Sequence, residues 1–98
     1  MQLETCSGGV SANPGPDDLE TALDELGADD GFLILSRASE DYVQAAGCVI
    51  EYRQDGRHFG YETASPDRDL VRKIFSSYYS DDGRWKQLVE WRDITDEI

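Results

Sequence analysis

The chain is poor in the groups on which catalysis and nucleic-acid binding most often rest. It has one histidine, two cysteines and nine Lys plus Arg, and no base at all before Arg37. A lone His58 beside Arg57 reads as an ordinary strand side chain, because acid–base chemistry needs a second poised group. Cys6 and Cys48 stand far apart with no CxxC spacing and no histidine companions, so neither a zinc site nor a disulfide framework is signalled. With no second histidine to activate it, Cys48 is not expected to be a thiol nucleophile. GxGxxG, GxxxxGK and GxSxG are all missing, which removes support for nucleotide binding and hydrolase chemistry. No apolar run is long enough to cross a bilayer as a helix, and the start MQLETCSGG lacks the positive-then-apolar layout of a secretion signal. The expectation is a soluble, cytoplasmic protein with no cofactor and no metal.

Acid is what the chain has in abundance. Asp and Glu number 21, giving a formal net charge of −12 over 98 residues, and eight of these acids precede Arg37. Such a field repels nucleic acid and anionic membranes, attracts basic protein surfaces and speeds the encounter in a salt-dependent way. The pairs Asp17-Asp18, Asp29-Asp30 and Asp81-Asp82 and the spaced Asp67 and Asp69 lack the ligand run of a calcium loop, and helix-start or turn chemistry accounts for them. A hydrophobic fraction of 39% with 10% aromatics argues that most of the chain folds.

Along the chain, SGGVSANPGP is rich in small residues, Gly and Pro, so residues 1–16 read as a flexible leader, although MQLETC could add an edge strand. Residues 17–98 read as one α+β domain. DDLETALDELG predicts a helix: Leu19, Ala22, Leu23 and Leu26 form one stripe, with Pro16 in its first turn and Gly27 as its cap. Its other side carries Asp17, Glu20, Asp24 and Glu25 with no base at i+4 to neutralise them. GFLILSR predicts a strand buried on both faces. YVQAA, CVIEYR and RHFGYE follow as strands, and Asp55-Gly56 between the last two is a hairpin signal. Alternation there puts Ile50, Tyr52, Phe59 and Tyr61 on one face and Glu51, Arg53, His58 and Glu62 on the other. Ser65-Pro66 opens a second helix packed through Leu70, Val71, Ile74, Phe75 and Tyr78. KQLVEWR closes the domain as a last strand. The expected architecture is a mostly antiparallel four- to five-stranded sheet with two helices, in the order α-β-β-β-β-α-β.

Within SYYSDDGRWKQLVEW, Tyr78 and Trp91 belong to the predicted packing faces. Tyr79 falls off the helix stripe and Trp85 lies beside an acidic turn, so these two are expected as exposed anchors. The ordered series FLIL, YVQAAG, VIEYR, HFGYE, SYYSDDG and LVEW resembles small acidic bacterial immunity proteins of the Imm1-like sort and related uncharacterised α+β proteins. That resemblance implies an inhibitor that neutralises a toxin, commonly a nuclease or deaminase, by binding it. It supplies the class and architecture and no residue roles. From charge placement and the two aromatics, the expected partner-binding residues are Asp17, Glu20, Asp24, Glu25, Asp29, Asp30, Tyr79, Asp81, Asp82 and Trp85. They would meet a basic protein partner, with no direct contact to nucleic acid or membrane. The same physics would serve a phage-encoded anti-CRISPR or antirestriction inhibitor acting as a nucleic-acid mimic. A small enzyme or an assembly subunit is the remaining alternative.

Overall fold

The structure, a computed structural model, describes residues 1–5, 10–25, 31–46, 48–63 and 68–97, without the side chains of Glu25, Arg68 and Glu97. Strands β1 (Gln2–Thr5) and β2 (Val10–Ala12) precede helix α1 (Pro16–Glu25). Strands β3 (Phe32–Ala38), β4 (Asp41–Ala46), β5 (Val49–Gln54) and β6 (Arg57–Glu62) follow, then helix α2 (Arg68–Ser80) and strand β7 (Arg92–Asp93). The strands form one antiparallel sheet in the order β2-β1-β3-β4-β5-β6-β7. The fold is α+β, as expected, with seven strands in place of four or five. None of the described helices is long and apolar enough to cross a membrane.

Two differences from the sequence reading stand out, the first of which accounts for the strand count. The segment read as a leader carries β1 and β2, and β1 lies inside the sheet between β2 and β3. Leu3 drives this: it pairs with Leu35 and is buried with it. Asn13, at a φ of 54° that Asn tolerates better than most residues, turns the chain so that its N–H reaches the Met1 carbonyl at 2.7 Å. At the other end, KQLVEWR is not a strand. Arg84–Gln87 form a short 3₁₀ turn, and strand pairing begins only at Arg92.

Local chemistry fixes the remaining elements. Pro16 takes the first position of α1, and the Asp18 carboxylate accepts the Gly15 N–H at 2.8 Å. Asp18 thus supplies the reach-back half of a capping box. Asp55 and Gly56 have φ of 54° and 76°, the double positive φ of a type I′ hairpin, which sets the β5–β6 register from Gln54↔Arg57 to Val49↔Glu62. Leu26, Gly27 and the Ser65-Pro66 cap lie outside the described residues.

Both helices cover the same side of the sheet. Leu19, Ala22 and Leu23 of α1 and Val71, Ile74, Phe75 and Tyr78 of α2 join Leu3, Leu33, Leu35, Val43, Ala45, Ile50 and Tyr52 in one core. The strand expected to be buried on both faces is covered on one: Leu33 and Leu35 are buried, whereas Phe32 is exposed and Ile34 half-buried. An aromatic cluster closes the β5–β6 end. Tyr52 stacks on Phe59 at 4.8 Å and meets Trp85 and Trp91 edge-on at 4.6 and 4.7 Å.

The C-terminal segment is clasped to β6 by polar bonds. Asp93 accepts the Thr95 hydroxyl at 2.6 Å and the Thr95 N–H at 3.0 Å and pairs with Arg57, while the Ile94 N–H donates to the His58 carbonyl at 2.8 Å. The Thr95 hydroxyl, then Arg57, then the Thr95 N–H hold the Asp93 carboxyl down at about 2, below its ordinary 3.8. A folded-state value lower than the unfolded one makes the clasp fully stabilising above about pH 4, and the gain disappears as pH falls toward about 2. Asp93→Asn is expected to flatten the acid limb of a stability–pH profile in that window. An unchanged limb in urea titrations across it would count against the clasp.

Candidate functional site

The residues expected to bind a partner are distributed differently from the way their spacing suggested. Trp85, expected as an exposed anchor, is 2% exposed. It is drawn inward because buried Ser77 on α2 accepts the main-chain N–H of Trp85 at 3.0 Å, while Gly83 turns the chain at a φ of 76°. Tyr79 is half-buried, packs against the core and donates its hydroxyl to the Pro14 carbonyl at 2.8 Å. Its polar end is thus committed within the molecule. Asp82 accepts the Ser77 hydroxyl and, at 3.0 Å, the Arg84 N–H. Those two bonds, the Ser77 one first, lower the Asp82 carboxyl from its ordinary value and make it a turn-former.

Asp81 is 3.0 Å from Arg37, which also donates to the Tyr78 carbonyl at 2.6 Å and sits 4.3 Å from the centre of the Tyr78 ring. The Tyr78 hydroxyl in turn donates to the Asp41 carboxylate at 2.7 Å, and burial, with that bond, pushes it well above the usual tyrosine range. On α1, Glu20 and Asp24 both pair with Arg72 of α2, Asp24 at 2.8 Å. This corrects the expectation of an unneutralised helix face: the base comes from the neighbouring helix. One guanidinium against two carboxylates still leaves the cluster net negative, and Asp17 and Asp18 stay exposed beside it. The Glu25 side chain and Asp29 and Asp30 lie outside the described residues.

The uncovered face of the sheet is the surface the sequence reading passed over. Register sets its side chains in rows across the strands. One row runs Phe32, Ala46, Val49, Glu62; the next runs Glu4, Ile34, Gln44, Glu51, Gly60, Arg92. Val10, Phe32 and Val49 are its exposed apolar members, at 61%, 38% and 36%. At the β6 end lies a groove of about 430 Å³ lined by Val49, Glu51, Glu62, Glu90, Arg92 and Ile94, among others. Gly60 floors it, and a Cβ there would meet Ile94 Cδ1 at 3.2 Å. A second hollow of about 450 Å³ lies at the β1–β3 end, against Gln2, Glu4, Ile34 and Tyr42.

Between the two, Glu51 accepts Gln44 Nε2 at 3.1 Å and stands 3.5 Å from His58 Nε2. His58 is more buried than a lone strand histidine on a polar face suggests, with the Tyr42 ring edge-on at 6.1 Å. The two-residue Asp55-Gly56 loop already fixes Val49 opposite Glu62, so this corner was open to discovery from sequence. What sequence could not supply was that both helices leave it uncovered. Comparison with known proteins gives no match to a family model, to a curated protein or to a solved structure.

Proposed function

We propose that the protein is an inhibitor that acts by stoichiometric binding to a basic protein partner, as an immunity protein neutralises a toxin nuclease or deaminase. The observation that carries this reading is the net charge of −12 on a domain of 98 residues. Internal pairing does not remove it. Arg37, Arg57 and Arg72 are each held by carboxylates, and the surplus of acid remains whatever those pairs do. A field of that sign and size favours a basic surface, raises the encounter rate and disfavours phosphate-bearing partners.

Of the residues expected to bind, Glu20 and Asp24 are paired with Arg72 and the side chains of Trp85 and Tyr79 are held within the molecule, so attraction rests on the net charge as a whole. A protein recovered with this chain from its source cells should be basic, bind one to one and lose its nuclease or deaminase activity at one equivalent. Raising salt from about 0.05 to about 0.5 M should slow association tenfold or more, since screening shortens the reach of the field. A partner of neutral or acidic charge, or an association rate indifferent to salt, would overturn the proposal.

A further inference from the structure

Both helices are spent on one side of the sheet, so the other side holds apolar groups in water with no element of the described chain to cover them. Phe32, Ala46 and Val49 are register neighbours on three adjacent strands, with side chains spaced about 5 Å apart. They form a continuous strip rather than scattered exposed residues, and such strips mark interaction surfaces. The charges beside the strip decide what can lie on it. Glu62 ends the same row, Glu4 and Glu51 stand in the next, and Glu90 faces the groove at the β6 end; among the described residues Arg92 is the one cation lining that groove.

A second copy would press these carboxylates against their own kind, across two bodies of formal charge −12. Nucleic acid or an anionic membrane would meet the same repulsion. A protein surface that carries apolar side chains among arginines or lysines meets both requirements, because long basic side chains bring an aliphatic stem and a cationic head together. The groove is shaped for such a side chain. Gly60 at its floor makes room for the Ile94 side chain, its volume of about 430 Å³ falls in the range of small-ligand clefts, and Glu62 and Glu90 stand at its walls.

We infer that the open face of the sheet, centred on Phe32, Val49 and the Gly60 groove, is where a basic protein partner docks, with an Arg or Lys side chain seated beside Glu62 and Glu90. The inference rests on the inhibitor reading and adds the surface through which binding occurs. The α1 face, with Glu20 and Asp24 tied to Arg72, then contributes long-range attraction and little contact.

Photo-crosslinking in the source cells tests this with p-benzoylphenylalanine placed in the full chain at position 32, 49 or, as a control on α1, 17. Positions 32 and 49 should capture the same basic protein and position 17 should not. In the complex rebuilt from purified components, Val49→Arg and Glu62→Lys should each weaken binding about tenfold or more. Asp17→Lys should change it less than about threefold. Val49 and Glu62 are exposed, so circular dichroism should show both variants folded; if Val49→Arg is not, Glu62→Lys decides. A basic partner captured from position 17 alone overturns the docking surface and leaves the inhibitor reading standing. Capture of a second copy, or no capture from 32 and 49, overturns the docking surface, and absence of a basic partner from all three positions overturns both.

Discussion

Trp85→Ala is expected to lower the free energy of unfolding by about 3–5 kcal/mol, the range for removing a large buried aromatic side chain. The ring is 2% exposed and lies edge-on to Tyr52, Tyr78 and Trp91 at 4.6, 5.6 and 6.1 Å. Its removal therefore forfeits ring–ring contacts as well as apolar burial and opens a cavity between α2 and the β5–β6 hairpin. Domains of this size are stable by about 5–15 kcal/mol, so the variant would retain only part of its margin. Urea unfolding reads the loss directly, and near-ultraviolet circular dichroism should lose the signature of the coupled rings. A surface anchor would behave in the opposite way, with stability unchanged and partner affinity reduced. That outcome would overturn the placement of Trp85 in the core.

Arg37→Ala is expected to cost about 2–3 kcal/mol, because one guanidinium makes three contacts that no other group replaces. It donates to the Tyr78 carbonyl in the last turn of α2, pairs with Asp81 just beyond the helix, and lies over the Tyr78 ring. Asp81 has a φ of 61°, so the chain leaves the helix in a left-handed conformation that the Arg37 pair helps to hold. Charge alone does not supply this. Lysine presents a point charge without the planar fork, so Arg37→Lys should recover less than half of the loss. Full recovery by lysine in thermal unfolding would show that only the Asp81 ion pair matters.

Much of the fold was legible because it is written in local periodicity. The α2 stripe of Val71, Ile74, Phe75 and Tyr78 is buried as its spacing requires, and the Asp55-Gly56 turn has both positive φ values that its sequence demands. The inward and outward sets of β5 and β6 follow from that turn. What could not be read depends on partners far along the chain. Arg72 reaches Glu20 and Asp24 across 52 and 48 positions, so a search for bases at i+4 along one helix misses it. Trp85 looks exposed beside Asp81 and Asp82, and the contact that turns it inward is a Ser77 hydroxyl eight residues earlier on another element. Four consecutive apolar residues in Phe32–Leu35 suggest cover on both sides, and only the shared placement of the two helices shows that one side stays open.

The brevity of the two outermost strands has a consequence for how the molecule can meet others. β2 supplies three residues at one margin and β7 two at the other, so each offers few backbone donors and acceptors on which a foreign strand could template itself. Sideways growth into ribbons or fibres finds little foothold there. Association is thereby channelled away from the rim and toward recognition by side chains, where shape and charge can discriminate one visitor from another.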